Sequence, residues 1–137
     1  MELTASCNWK SELNFEAEVG EIKFPISGMT KEDGSAEGLT PKPLLLVSLS
    51  GCTALDVISI LMKMHHNPAF FSVEAKGEIA ETHPKKFLSI HLIYHCSSEV
   101  PQSALEKAIT LSIEKYCGVY ATLISAVPIT WEIKYEN

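Results

Sequence analysis

The sequence predicts a small α+β fold in a single domain, residues 1–137. The chain has 46% apolar and 20% charged residues, an ordinary composition for a folded protein of this length. Short segments of alternating apolar and polar residues occur on both sides of one long apolar segment. Their order, β-β-β-α-β-β-α-β with antiparallel hairpins, is typical of α+β proteins rather than of doubly wound sheets.

Three strands are predicted before the long segment. Residues 3–9 and 13–19 alternate loosely, and residues 21–25 follow a tight turn at Gly20. Residues 28–40 are rich in Gly, Ser, Thr, Glu and Asp, which is typical of an exposed loop.

The long apolar segment, residues 44–64, predicts a helix. Pro41 and Pro43 introduce it, and residues 65–68 end it. A run of about 22 residues makes a helix about 33 Å long. Because the segment is apolar nearly all round, we expect the helix to be central and covered on several sides. Asp56 and several hydroxyl residues interrupt the segment, which favours a helix buried in protein over a membrane span.

The rest of the chain predicts a hairpin, a second helix and a closing strand. Residues 72–79 alternate as a half-buried strand, and residues 87–96 return as a strand with apolar residues on both faces. The next helix is amphipathic, and its pattern breaks at residues 116–119, after which a short helix and the strand 129–135 follow. The residues expected to face inward in the second helix are Leu105, Ala108, Ile109 and Ser112.

Charge and composition argue against nucleic acid as a partner. The net charge is −6, and all eleven basic residues are lysine. Without arginine, the chain lacks the side chain that binds phosphates and guanines in a bidentate manner. The N-terminus shows no basic segment followed by an apolar one, so we expect no secretory signal and a cytoplasmic location.

Two of the four cysteines occupy positions that suit chemistry. Cys52 lies inside the long helix, and Cys117 follows the second helix at a break marked by Gly118. Each could also be a small buried core residue. In the cytosol both thiols should stay mostly reduced. A disulfide between them requires Cα atoms within about 7 Å, which the sequence leaves open.

The remaining cysteines and the histidines carry no motif. Cys7 and Cys96 are expected to pack in strands. His91 and His95 share a strand face but lie about 13 Å apart along it, too far for one metal ion. His65 and His66 have no carboxylate or cysteine at metal-ligand spacing. We therefore expect no metal site.

Two segments resemble the cysteine motifs of the OsmC/Ohr family. Residues 51–61, GCTALDVISIL, resemble the first motif, and residues 112–119, SIEKYCGV, resemble the second. Residues 127–130, VPIT, continue the match toward the closing strand. The motifs are most similar to those of the YhfA-like branch.

The resemblance implies an OsmC-like fold with antiparallel sheets, a long central helix and an intertwined homodimer. It also implies a thiol-dependent peroxidase that reduces organic hydroperoxides in oxidative-stress defence. In that chemistry Cys52 is the attacking thiolate and Cys117 the resolving thiol. The disulfide between them is reduced by an external dithiol, and no cofactor is needed. An apolar substrate pocket would be lined from residues 44–47.

The sequence departs from the family pattern at two activating groups. Peroxidases of the family place an arginine against the thiolate and a glutamate that orients it. This chain has no arginine, and Lys42 and Pro43 stand where the glutamate is expected. Lys42 is therefore a possible charge partner of Cys52. The alternative is a catalytically weak or inactive dimer that binds a small apolar or thiol-reactive ligand at its interface.

Overall fold

The first three strands form an antiparallel sheet in the order β1-β2-β3. The computed structural model describes residues 1–137 as two units, Met1–Leu45 and Leu46–Asn137, and this sheet belongs to the first. The strands are β1 (Ser6–Ser11), β2 (Asn14–Val19) and β3 (Ile22–Ser27). Gly20 has a φ of 61°, which suits glycine in the turn between β2 and β3. The three predicted strands are confirmed, with no boundary shifted by more than three residues.

Helix α1 (Pro41–Lys63) is confirmed as one continuous helix of 23 residues. Its fully buried side chains recur at every fourth position and form one stripe: Leu49, Thr53, Val57 and Leu61. We expected α1 to be covered on several sides, but within one chain only this stripe of the helix is fully buried. By length and composition alone α1 could also cross a bilayer, a test that the core helix of a soluble protein passes as well.

The second sheet contains β4 (Phe71–Ile79), β5 (Phe87–Ser97) and β6 (Ile129–Glu136). Strands β4 and β5 form the predicted antiparallel hairpin, whereas β6 pairs parallel to β5. The α+β fold class is confirmed, but the expectation of antiparallel sheets is wrong for β6. The chain between β5 and β6 is a long helical crossover, the kind of connection that parallel neighbours require.

The crossover consists of α2 (Gln102–Leu111), a π-helical turn (Ser112–Tyr116) and α3 (Gly118–Leu123). The four residues predicted to face inward from the second helix are all fully buried. Side chains of α1, β5 and α2 meet in one hydrophobic core, so the helices cover one face of the second sheet. Residues central to this core are Leu49, Leu61, Leu92, Tyr94, Leu105 and Ile109.

The outer face of this sheet carries histidine–carboxylate pairs. His95 Nδ1 lies 2.8 Å from an oxygen of Glu136, and Nε2 lies 3.1 Å from an oxygen of Glu74. The hydrogen bond to Glu74 is the largest effect on His95 and raises its pKa; burial opposes that shift, and Glu136 adds to it. Protonated His95 thus joins β5 to both neighbouring strands.

We predict that His95→Gln lowers the melting temperature more at about pH 5.5 than at about pH 8.5. The folded protein binds the proton on the His95 ring more tightly than the unfolded chain does, in which the pKa of histidine is about 6.5. The stabilisation is therefore fully present below the unfolded pKa and is lost as the pH rises through the folded pKa. Thermal unfolding across this range measures it, with the exposed His83→Gln as control. An equal loss at both pH values would contradict the prediction.

Candidate active site

The structure brings Cys52 and Cys117 together, 65 positions apart in sequence. Their sulfur atoms and a carboxylate oxygen of Asp56 all lie within 4.8 Å of one another. Cys52 is half-buried, whereas Cys117 is 2% exposed, and both are free thiols. The cluster therefore joins two oxidisable thiols and one carboxylate in a place that is largely shielded from water.

Helix α1 supplies two members of this cluster. Cys52 and Asp56 are four positions apart, so they lie one above the other on one face of the helix. Thr53, between them in sequence, points into the core and is fully buried. The face that carries Cys52 and Asp56 thus borders the buried stripe of the helix.

The π-helical turn presents Cys117 to α1. The Cys117 N–H donates to the Ser112 carbonyl at 2.7 Å, five residues earlier, and this widens the last turn after α2. Cys117 then adopts an extended backbone (φ −78°, ψ 99°) and serves as the N-cap of α3. Its sulfur accepts the Tyr120 N–H at 3.4 Å. Hydrogen bonds to neighbouring backbone groups therefore hold Cys117 both at its own N–H and at its sulfur.

The surroundings of Cys117 keep it protonated. Burial is the main cause that raises the pKa of this thiol to about 11, and the Tyr120 N–H partly opposes it. A side-chain hydrogen bond with Cys52 raises the pKa further, as does the negative charge of Asp56. At neutral pH the Cys117 S–H is thus a proton donor facing the Cys52 sulfur.

A chain of buried hydroxyl groups ends on the Asp56 carboxylate. The Ser112 hydroxyl donates to Asp56 Oδ2 at 3.0 Å, so its oxygen is left to accept from Thr53 Oγ1 at 2.8 Å. Thr53 Oγ1 in turn accepts from the Tyr94 hydroxyl at 2.8 Å. Burial is the main cause that raises the pKa of Tyr94 to about 12, so this phenol stays a donor. The chain fixes the orientation of Asp56.

A cavity of about 280 Å³ opens beside the cluster. It shares Asp56 with the cluster and lies along the C-terminal half of α1, where Lys63 brings a positive charge to its wall. The predicted pocket lining from residues 44–47 belongs to the other end of the helix and stays a prediction. The lining residues are Asp56, Ser59, Ile60, Lys63, Leu111 and Tyr116.

Comparison with known proteins identifies the family. The family model for OsmC-like proteins matches residues 33–132, most of the chain and both cysteine segments. The chain belongs to the OsmC-like family.

Individual relatives agree with this assignment. The protein YhfA of Escherichia coli K12 is 35% identical over 101 residues, covering 72% of this chain and 75% of YhfA. A crystal structure of a hypothetical protein from Aquifex aeolicus VF5 is 31% identical, with a TM-score of 0.83 and coverage of 100% and 99%. The organic hydroperoxide resistance protein OhrB of Bacillus subtilis shares the fold at 10% identity, with a TM-score of 0.68 and 98% coverage of both chains.

The other predicted residues lie outside the cluster of this OsmC-like protein. Lys42 is exposed in the first turn of α1, and its effect on Cys52 stays a prediction. Cys96 is buried in β5 as expected of a packing residue, whereas Cys7 is exposed in β1. The hydroxyl chain was not predicted. The sequence indicates the hydroxyl chain in one way: Thr53 and Ser112 are polar residues at positions that the apolar pattern assigns to the core.

We predict that Thr53→Val lowers the free energy of unfolding by about 1–3 kcal/mol, because the buried Tyr94 hydroxyl and Ser112 each lose a hydrogen-bond partner while the side-chain volume is kept. Urea unfolding measures this loss. Thr110→Val, on the exposed face of α2, is the matched control and should change stability by less than about 0.5 kcal/mol. Equal effects of the two variants would show that the hydroxyl chain contributes nothing.

Proposed function

We propose that this protein is a thiol-dependent peroxidase that reduces organic hydroperoxides in oxidative-stress defence, with Cys52 and Cys117 as its reacting thiols. The observation that carries the proposal is the approach of the two sulfurs to within 4.8 Å. Their difference in environment supports the roles. Cys52 is the more accessible sulfur, and Cys117 is buried and held as a thiol.

The first step is attack by the Cys52 thiolate on the distal peroxide oxygen. A sulfur–oxygen bond forms, the O–O bond breaks, and the leaving alkoxide takes a proton from water to become an alcohol. Sulfur is oxidised to sulfenic acid, and the peroxide is reduced by two electrons. Cys117 stays protonated beside the Cys52 sulfur, so its S–H is available as a hydrogen-bond donor toward the attacking sulfur.

The second step closes a disulfide. Cys117 attacks the Cys52 sulfenic sulfur, loses its proton, and releases the hydroxyl group as water. An external dithiol then supplies two electrons and two protons, becoming a disulfide itself while both thiols are restored. No cofactor takes part. The four free cysteines suit the cytosol, where thiols are kept reduced.

A second candidate function rests on Asp56. Its carboxylate lies within 4.8 Å of both sulfurs, and a negative charge at that distance disfavours a thiolate. The chain has no arginine to offset it. These observations favour a catalytically weak or inactive dimer that binds a small apolar or thiol-reactive ligand.

We predict that Cys52→Ser lowers the rate of reaction with cumene hydroperoxide at least about hundredfold, because the attacking thiolate is absent. Cys117→Ser should keep the first step, lose turnover, and accumulate a Cys52 sulfenic acid that dimedone traps. Stopped-flow oxidation of the reduced protein measures the rates, and parallel runs with hydrogen peroxide test the preference for an organic substrate.

Cys7→Ser is the matched control, since this exposed cysteine lies outside the cluster. After one equivalent of peroxide, mass spectrometry should find an intrachain Cys52–Cys117 disulfide in the control and in the parent protein. If Cys52→Ser reacts as fast as the parent, the assignment is wrong. Unchanged mass together with no saturable turnover would favour the ligand-binding alternative.

We also propose that the protein is a homodimer in which a second copy covers the outer face of α1. The support is the exposure of large apolar side chains there: Val47 is 60%, Leu55 75% and Met62 56% exposed. These positions share a side of the helix away from the buried stripe. Large apolar side chains exposed along one side of a helix favour an interaction site there.

We predict that light scattering after gel filtration gives twice the chain mass of 15.1 kDa. Leu55→Glu should lower this mass toward one chain, because burying an unpaired charge in an apolar interface costs several kcal/mol. Thr110→Glu on α2 is the control and should leave the mass unchanged. A parent protein that elutes with the mass of one chain at every concentration would rule out the dimer.

A further inference from the structure

We propose that Cys52, Asp56 and Cys117 form a zinc-binding site in the reduced protein. The inference goes beyond the peroxidase proposal, because it concerns what the reduced thiols bind when no peroxide is present. It departs from the expectation, drawn from the sequence alone, that the chain has no metal site. It depends on the juxtaposition of three ligand atoms and not on any redox step.

The distances suit a single ion. In a tetrahedral zinc site, with Zn–S about 2.3 Å and Zn–O about 2.0–2.2 Å, ligand atoms lie roughly 3.5–3.8 Å apart. The three ligand atoms here are within 4.8 Å of one another, so small side-chain rotations are enough to bring all three to bonding distance from one ion. Two cysteines and one carboxylate leave a fourth position for water or a small ligand.

The ligands come from two rigid elements. Cys52 and Asp56 are four positions apart on α1, so one helix face presents both. Cys117 comes from the junction of the π-helical turn and α3, where backbone hydrogen bonds hold it. Because the three ligands are positioned before any metal arrives, binding requires little rearrangement of the backbone.

A second layer of contacts orients the ligands. The Ser112 hydroxyl donates to Asp56 Oδ2, which leaves the other carboxylate oxygen available as a ligand. The Tyr120 N–H donates to the Cys117 sulfur. Contacts of this kind fix the direction of ligand lone pairs in metal sites and raise affinity.

The donor set and its charge favour Zn²⁺. Thiolate and carboxylate are both zinc ligands, whereas Mg²⁺ and Ca²⁺ prefer oxygen alone. Two thiolates and one carboxylate together carry three negative charges, which repel one another in a buried place. A bound divalent ion reduces the total charge of the site from three negative charges to one.

The test uses the reduced, full-length protein in a phosphine reductant, first stripped of metal. Titration with Zn²⁺ against a chromophoric chelator should give one ion per chain. Titration with Co²⁺ should give a thiolate-to-cobalt charge-transfer band in the near ultraviolet, together with the intense visible bands of tetrahedral cobalt. Asp56→Asn should weaken zinc binding by at least about tenfold, and Cys52→Ser and Cys117→Ser should each abolish the charge-transfer band or halve it.

Cys7→Ser is the matched control and should bind Zn²⁺ as the parent does. Alkylation is a readout that needs no substitution: saturating Zn²⁺ should protect the half-buried Cys52 from iodoacetamide and leave the exposed Cys7 reactive. No binding to the parent, no protection, or binding that Asp56→Asn leaves unchanged would overturn the proposal. Peroxide reduction by the metal-free protein is measured separately, so that zinc binding without activity, or activity without zinc binding, shows which of the two proposals has failed.

Discussion

The buried hydroxyl chain from Tyr94 to Asp56 is the interaction on which the candidate site depends. It joins three separate elements, because Tyr94 lies in β5, Thr53 and Asp56 lie in α1, and Ser112 begins the π-helical turn. Each buried polar group in it has a partner, which a polar group in a core needs in order not to destabilise the fold. The same hydrogen bonds that satisfy these groups fix the distance between α1 and the turn that carries Cys117.

This arrangement explains why the two sulfurs meet. Ser112 makes hydrogen bonds with both its side chain and its backbone. Its hydroxyl is hydrogen-bonded to Thr53 and Asp56, and its carbonyl accepts the Cys117 N–H. Anchoring Ser112 to α1 therefore anchors Cys117 as well. The widened π-helical turn then leads into Cys117, whose sulfur lies within 4.8 Å of the Cys52 sulfur. The geometry of the site is thus a consequence of how one serine is bonded.

Much of this fold could be predicted from the chain, because its signals are local. The alternation in β4, the apolar run in α1 and the inward positions of α2 each appear within a few residues of sequence. The parallel pairing of β6 could not be predicted in this way, since the direction in which a strand joins a sheet depends on a crossover of some thirty residues. Cys52 and Cys117 were identified through a family resemblance. The proximity of Asp56 to both sulfurs and the hydrogen bonds of Thr53 and Ser112 arise only when distant segments pack.

The charge around the sulfurs limits what the cluster can do. A thiolate needs positive charge or hydrogen-bond donors close by, and here the donors are the Tyr120 N–H to Cys117 and the Cys117 S–H to Cys52. The negative charge of Asp56 acts in the opposite direction on Cys117. Hydrogen bonds within the cluster can stabilise one negatively charged sulfur at a time, so one cysteine is a thiolate while the other stays a thiol. The proposed peroxidase reaction, with one attacking and one resolving cysteine, requires this difference between the two sulfurs. Ionising both sulfurs together needs a cation that the cluster's own side chains do not contain. In the functions proposed for this cluster, the two-thiolate state is therefore the one that binds a metal ion, and the one-thiolate state is the one that reacts with peroxide.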